Sequence, residues 1–318
     1  MEKILIIQTA FLGDVILATP VISELSRIYP NAQIDFLVKK GNESLLANSP
    51  QLNSVLIFDK SKQKWKSMIR LILQSRKRKY DLVINLHRFG SSGIIAGLSK
   101  GKKIYGFKKN PFSFLYSKKF KHSIGDGTHE VERNLSLIKE FGALESVRPE
   151  LFPSAADKAK VNSLKNGNYY CLAPASVWFT KQLPQHKWIE LINSFPPEST
   201  VYLLGAPVDK ELCQTIIEKS NNRYSNNLCG ELSLLQSAEL MRTANRNYVN
   251  DSGPLHLASS VNAPVTAFFC STIPDFGFGP LSEDSEIKEV NNLDCRPCGL
   301  HGHKECPKGH FKCGEITL

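Results

Sequence analysis

The chain has 318 residues, 42% of them apolar and 22% charged, with eight cysteines and a formal net charge of +10. That length can bury two cores of ordinary domain size, and no run of about 18 uncharged apolar residues exists to span a membrane. The charge is unevenly placed: residues 1–150 carry 25 Lys plus Arg against 13 Asp plus Glu, a net of +12, whereas residues 151–318 carry 15 against 17, a net of −2. A basic surface of this kind implies an acidic partner, whether nucleic acid, anionic lipid or a phosphorylated glycolipid.

In chain order, residues 3–7 form a short apolar run that reads as a buried strand. A signal peptide is the weaker reading, because Asp14 interrupts the apolar region and no small-residue cleavage site follows, so the protein is expected in the cytoplasm. The turn Thr9-Ala10-Phe11-Leu12-Gly13-Asp14 then leads into a helical stretch over 15–29 that contains Pro20. One glycine, rather than GxGxxG, argues against an NAD or FAD site. Asp14 falls at the sheet edge where open α/β folds bind ligands, and its plain alternative is a helix-capping residue.

Further strands are predicted over 34–38, 55–58, 82–85 and 103–106. Trp65 to Tyr80 reads as a basic amphipathic helix with its apolar stripe on the sheet and its charged end open to anionic headgroups. Residues 111–121 interleave aromatics with lysines, a pattern that suits a loop against lipid or sugar. A helix over 132–141 closes this half, and 143–157, with Pro149 and Pro153, is the expected linker. The second half repeats the alternation, with strands over 169–173, 201–205, 247–250 and 265–269. Such alternation predicts an α/β fold with two parallel sheets covered by helices.

In the second half, Val249-Asn250-Asp251-Ser252-Gly253-Pro254-Leu255-His256 ends a strand and opens a helix. Ser252 suits the N-cap and Pro254 the first turn. The free N–H groups and dipole of such a helix make an anion site, which Asp251 and His256 flank. An ordinary strand-to-helix turn with a buried His is the plain alternative. Gly205 to Glu211 reads as a surface turn with a capping Asp209, and Leu240-Met241 as core.

The last 24 residues hold Cys295, Cys298, Cys306 and Cys313 as Cys-x2-Cys-x7-Cys-x6-Cys, a spacing that admits a structural zinc. Cys171, Cys213, Cys229 and Cys270 read as buried thiols. The expected organisation is therefore residues 1–150, residues 151–292 and a Cys-rich tail, 293–318. The tail leaves little chain for a final helix returning to the first domain, as expected of a chain cut short.

Phe11-Leu12-Gly13-Asp14-Val15-Ile16-Leu17-Ala18-Thr19-Pro20 resembles the opening motif of the lipopolysaccharide heptosyltransferases, glycosyltransferase family 9. Asn250-Asp251-Ser252-Gly253-Pro254-Leu255-His256-Leu257-Ala258 resembles their second hallmark. Ala173-Pro174-Ala175-Ser176 and Lys181-Gln182-Leu183-Pro184 are similar to the segment between, with an Ala in place of Gly and a Leu in place of Trp. The resemblance implies the GT-B architecture, two facing Rossmann-like domains with a cleft between them. It also implies an inverting transferase that needs no metal cofactor. The implied donor is a nucleoside-diphosphate sugar such as ADP-heptose, and the acceptor is the anionic lipopolysaccharide inner core (Kdo-lipid A or core oligosaccharide). The N-terminal domain would receive the acceptor and the C-terminal domain the donor, at the inner face of the bacterial inner membrane.

The chemistry then assigns roles. Asp14 is the candidate base, although a carboxylate of ordinary pKa is a weak one and needs tuning. Lys181, Ser176 and the helix start at Ser252, Gly253 and His256 would hold the diphosphate, and Asp251 would orient a ribose hydroxyl or the helix start. His87, Arg88, His129 and Arg133, the last two four apart on a helix face, are acceptor-side candidates for a carboxylate or phosphate. Two other readings compete: a nucleic-acid-binding protein with a metal-binding tail, which leaves Asp14 and the Asp251–His256 run unexplained, and a non-catalytic sugar-nucleotide scaffold.

Overall fold

Short apolar runs form strands where helices can cover both faces of a sheet, and this chain builds such a sheet twice. The structure is a computed structural model that describes residues 1–61 and 63–318. It divides into unit 1, Met1–Ile124 with Thr128–Phe152, and unit 2, Gly125–Gly127 with Pro153–Leu318.

Unit 1 runs β1 (Lys3–Gln8), α1 (Leu12–Ile16), α2 (Thr19–Ile28), β2 (Gln33–Lys39), β3 (Ser54–Phe58) and α3 (Lys64–Arg78), then β4 (Leu82–Asn85) and α4 (Gly90–Leu98). It ends with β5 (Lys103–Phe107), β6 (Lys118–Phe120) and α5 (Glu130–Ser136). All six strands are parallel, in the order β3-β2-β1-β4-β5-β6. Leu5, Ile7, Leu37 and Phe58 of the sheet pack with Met68 and Leu71 of α3 and Ile95 and Ala96 of α4.

The single helix expected over 15–29 is two. A proline ring clashes with the carbonyl four residues back, here Ile16, and cannot donate to it. Accordingly α1 ends at Ile16, α2 restarts with Pro20 in its first turn, and the Thr19 hydroxyl donates to the Ile16 carbonyl at 2.7 Å.

Unit 2 runs α6 (Ala155–Val161), β7 (Tyr169–Ala173), α7 (Gln185–Ser194), β8 (Thr200–Leu203), α8 (Lys210–Lys219) and β9 (Ser225–Asn227). It continues with α9 (Leu234–Arg242), β10 (Arg246–Asn250), α10 (Gly253–Ser260), β11 (Val265–Phe269) and β12 (Ser285–Glu289). This sheet is also parallel, ordered β12-β11-β10-β7-β8-β9. Numbered within its own unit it has the same order as the first, 3-2-1-4-5-6, the Rossmann arrangement.

Two boundaries and one helix face differ from those read in the sequence. The chain passes from unit 1 to unit 2 between Phe152 and Pro153, inside the expected linker, and Ala155 to Asp157 already belong to α6, capped by Ser154. The tail is no separate body, because Cys313 and Ile316 lie in the unit 2 core with Trp188 and Phe268. In α3 the apolar residues divide: Met68, Leu71 and Ile72 face the sheet, but Trp65, Ile69 and Leu73 are exposed. Its charged end is also less free than expected, since Arg78 pairs with the buried Asp35 and Arg76 donates to the Leu98 carbonyl at 2.7 Å. Among the described residues no helix is long and apolar enough to cross a membrane.

Candidate active site

In both sheets the strand order reverses between the first and fourth strands, and loops following those strands frame the crevice where ligands of such folds bind. In unit 1 the loop after β1 leads into α1, which carries Asp14, and the loop after β4 carries His87-Arg88. In unit 2 the loops after β7 and β10 carry Ser176, Lys181 and Asp251.

Asp14 lies in the first turn of α1, partly exposed, with no side-chain cap made at the N-cap residue Phe11. Burial, and next the neighbouring charge of Glu130, raise its pKa from 3.8 to about 6; Arg88 and the local backbone N–H groups pull the other way without cancelling this. Glu130 is the first residue of α5 and is buried. Burial opposes its charge, but hydrogen bonds from His122 Nε2 (3.1 Å) and Arg133 Nε (2.7 Å) outweigh that and hold it below the usual carboxylate range. The Asn134 side chain donates to the Leu17 carbonyl at 3.2 Å and pins α5 to the end of α1. Asp14 thus faces a fixed, ionised carboxylate.

Around this centre the acceptor-side candidates separate. Arg133 is buried, paired with Glu130 and bonded to the Thr128 carbonyl, so its charge is committed inside the fold. His129 does not share a helix face with it: the ring accepts from the Val131 N–H at 3.2 Å as the N-cap of α5. His87 is buried, its Nδ1 3.0 Å from the Thr9 hydroxyl, and burial with the charges of Lys60 and Arg88 lowers its pKa to about 3. It is therefore neutral and makes no ion pair with an anion. Arg88 remains as the partly exposed cation, on a loop tied down by Asn110 Nδ2 to the His87 and Phe89 carbonyls (both 3.0 Å).

Lys60, which the sequence reading passed over, joins this edge. Its Nζ donates to the Thr9 carbonyl at 2.6 Å, and burial with nearby Lys39 and Lys64 lowers its pKa to about 8.

In unit 2 the organising residue is Asn250, buried at the end of β10. Its Oδ1 accepts from the Leu183 N–H (2.8 Å) and its Nδ2 donates to the Pro174 carbonyl (2.7 Å), so one side chain grips both ends of the loop after β7. Within that loop a 3-10 turn, Phe179–Lys181, presents Lys181, whose Nζ lies 2.6 Å from Asp251 Oδ2. The Thr272 hydroxyl donates to the same oxygen at 2.6 Å. Ser176 is partly exposed on the same loop, its carbonyl accepting from Gln182 Nε2 at 2.7 Å.

Ser252 occupies the N-cap position of α10 but makes no capping bond; its hydroxyl donates to the Asn250 carbonyl instead. Ser252 and Gly253 are partly exposed at the helix start, where Pro254 has no N–H and the Leu255 N–H donates to the Ser252 carbonyl at 3.1 Å, which leaves the Gly253 N–H as the one facing out. His256 is buried one turn further in. Leu240 and Met241 are fully buried core, and Asp209 accepts from the Ala206 N–H at 2.8 Å, as a turn requires.

The four tail cysteines lie near enough to one another that the charges of Cys295 and Cys306 add to burial in raising the Cys298 and Cys313 thiols. Among the described residues no group of three or more His, Cys, Asp or Glu side chains is placed to hold a metal ion. Cys298 Sγ turns to the Cys295 carbonyl (3.0 Å), Cys306 is partly exposed, and Cys313 packs in the core, where burial pushes its thiol up to about 11. The tail also braces the lysine turn. Thr180 donates its N–H to the His303 carbonyl (3.1 Å), and its hydroxyl accepts from the His303 N–H (2.8 Å). Gly302 sits so close that a Cβ there would lie 2.8 Å from Lys181 Cγ and 2.6 Å from Trp178 Cβ.

Two Rossmann-type units with the same strand order are the architecture of a glycosyltransferase. The model of glycosyltransferase family 9 (heptosyltransferase) matches residues 68–310, and the chain belongs to that family. It is 27% identical over 277 residues to lipopolysaccharide heptosyltransferase 3 of Escherichia coli, covering 82% of each chain. It is 26% identical over 322 residues to lipooligosaccharide heptosyltransferase 2 of Campylobacter jejuni, covering 98% of this chain and 94% of that one. Its fold is similar to the solved ADP-heptose lps heptosyltransferase II of E. coli, with a TM-score of 0.79 and 22% identity over 98% of this chain and 96% of that one.

Proposed function

We propose that this glycosyltransferase moves a heptose from ADP-heptose to the inner core of lipopolysaccharide, with inversion at the anomeric carbon and without a metal ion. The observation that carries the reading is Asp14, a carboxylate raised to about 6 by burial and Glu130 at the ligand-binding edge of its sheet. A general base works best with a pKa near the working pH, and the tuning that an ordinary aspartate lacks is supported by these surroundings.

Asp14 takes the proton of an acceptor hydroxyl as that oxygen attacks the anomeric carbon on the face opposite the nucleotide. The bond from that carbon to the diphosphate oxygen breaks, and ADP leaves with the electron pair. Lys181 and the Gly253 N–H at the start of α10 meet the charge that develops on the phosphate. Asp251 and Thr272 hold Lys181 in place rather than contacting the nucleotide themselves. On the acceptor side, Arg88 is the residue for a Kdo carboxylate or a phosphate. The basic half is assigned to this anionic glycolipid rather than to nucleic acid, and the place of work to the inner face of the bacterial inner membrane.

The test is ADP release from ADP-heptose with a Kdo-bearing lipid A acceptor, in wild type and in Asp14→Asn, with and without EDTA. Acceptor-dependent release that survives EDTA and is lost in the variant supports the reading. Release that needs a divalent cation overturns the metal-free mechanism, and no release with ADP-heptose overturns the donor.

A further inference from the structure

Helix α3 is built in three sectors. Met68, Leu71 and Ile72 face the core, whereas Trp65, Ile69 and Leu73 are 66%, 56% and 58% exposed. At 3.6 residues per turn the exposed apolar trio spans about 80° of the helix surface, and Lys66, Arg70 and Lys77 occupy about the next 40°. All three basic side chains are exposed, and the helix contains no acidic residue. A single exposed Leu needs no explanation, but three large apolar residues spaced four apart on one line make a surface with a use.

We infer that this exposed face of α3 docks the protein onto an anionic phospholipid bilayer. Trp65, Ile69 and Leu73 would enter the headgroup–acyl boundary, while Lys66, Arg70 and Lys77 lie against the lipid phosphates, the pattern of an interfacial helix. The Lys64 ammonium lies 5.6 Å from the Trp65 ring centroid, which keeps a cation at the same end of the stripe. A second copy of the chain is the poorer occupant, because a two-fold contact through this face sets one basic row against its twin. Nucleic acid would engage the basic row but offers little to Ile69 and Leu73. The inference rests on the proposed function for its biological sense, since a lipid-borne acceptor must be met at a membrane. The contact itself is independent of sugar transfer.

The experiment uses the full chain and vesicles of phosphatidylglycerol with phosphatidylethanolamine, compared with phosphatidylcholine alone. Wild type is expected to co-sediment with the anionic vesicles and to show a blue shift of tryptophan emission that Trp65→Phe removes. A Trp65→Ser, Ile69→Ser, Leu73→Ser variant is expected to bind about 100-fold more weakly, and so is Lys66→Glu, Arg70→Glu, Lys77→Glu. Both should keep the thermal unfolding midpoint of wild type to within a few degrees, since none of the six residues packs inside and the tie that Arg70 Nη2 makes to the Ile57 carbonyl at 3.3 Å is solvent-exposed. Undiminished binding by either variant overturns the inference, as does a wild type that ignores anionic vesicles. So does a finding by analytical ultracentrifugation that the apolar trio mediates self-association instead. Because no donor or acceptor is added, a failed ADP-release assay leaves this result readable on its own.

Discussion

The two sheets share one strand order and place their candidate residues after the same two strands, yet the two edges are electrostatic opposites. In unit 1 a carboxylate sits beside a second carboxylate, and a histidine is kept neutral by burial and two cations. In unit 2 the edge holds an ion pair at hydrogen-bond distance, Lys181 on Asp251, whose carboxylate also accepts from Thr272. The fold chooses where a site can be, and the residues choose whether it stores tension or rigidity. A base profits from tension, because a group that resists ionising takes up a proton at higher pH. A phosphate-binding lysine profits from rigidity, because a fixed charge needs no reorganisation when the leaving group departs.

If that contrast is right, removing the two groups should have opposite effects on stability. Asp14→Asn should lower kcat by about 1000-fold, the loss typical of a positioned base. It should also make the protein more stable at neutral pH. An acid whose folded pKa of about 6 exceeds its unfolded value of 3.8 costs stability when ionised, a cost present above pH 6 and relieved as pH falls toward 4. At about 1.4 kcal/mol per pKa unit the gain is at most about 3 kcal/mol. Thermal unfolding at pH 7.5 and at pH 4.5 reads it directly: a variant no more stable than wild type at pH 7.5 contradicts the tension.

Lys181→Ala should cost about 100- to 1000-fold in kcat and gain no stability, since it strands the buried Asp251. Asp251→Ala, Lys181→Ala together should lose little more activity than Lys181→Ala alone, because Asp251 acts through the lysine. Additive losses in that double variant would give Asp251 a contact of its own with substrate.

The two sheets were legible in the sequence through their interior strands and the apolar edge strand β3, but not at the other three edges. β6, β9 and β12 were not foreseen, and each lies at the edge of its sheet. They read Lys-Lys-Phe, Ser-Asn-Asn and Ser-Glu-Ile-Lys-Glu, polar or charged as edge strands tend to be, and so without a hydrophobic pattern. At the candidate site Asp14, Lys181 and Asp251 announced themselves by type and turn context. Their controlling neighbours did not: Glu130 lies 116 positions beyond Asp14, and Thr272 follows a different strand from Asp251. For His129 and Arg133 the sequence did not show that the register of α5 makes one a cap and turns the other to Glu130. The run Asn250-Asp251 held one unused signal, since an Asn closing a buried strand needs several backbone partners and finds them in the loop it organises.

A smaller effect tests the rigidity of unit 2. Gly302→Val would force atoms against the backbone-near part of the Trp178 and Lys181 side chains, so the lysine turn must shift. A misplacement near 1 Å can cost about 100-fold in a positioned step; because Asp251 still anchors the ammonium, about 10-fold in kcat is expected here. A larger loss in Lys181→Ala than in Gly302→Val, with both folded by circular dichroism, fits a brace. Unchanged kinetics in the glycine variant would show the turn to be held without the tail.

The smallest effect concerns how Asp14 is tuned. kcat/KM should fall on the acid side with an apparent pKa near 6, because the base must be ionised to accept a proton. Glu130→Gln removes the neighbouring negative charge, so Asp14 ionises more readily and that limb should move to lower pH. The base also weakens, and kcat on the plateau should drop slightly with it. The substitution leaves Arg133 buried without its counter-ion, a loss of about 3 kcal/mol or more, so the profile must be recorded well below the variant's unfolding temperature. A limb that stays near 6 would assign the tuning to burial alone, and a limb that moves to higher pH would place the titrating group elsewhere than Asp14. Only a downward move joins the two carboxylates as one device, with Glu130 held ionised by His122 and Arg133 so that Asp14 is kept ready to take up a proton.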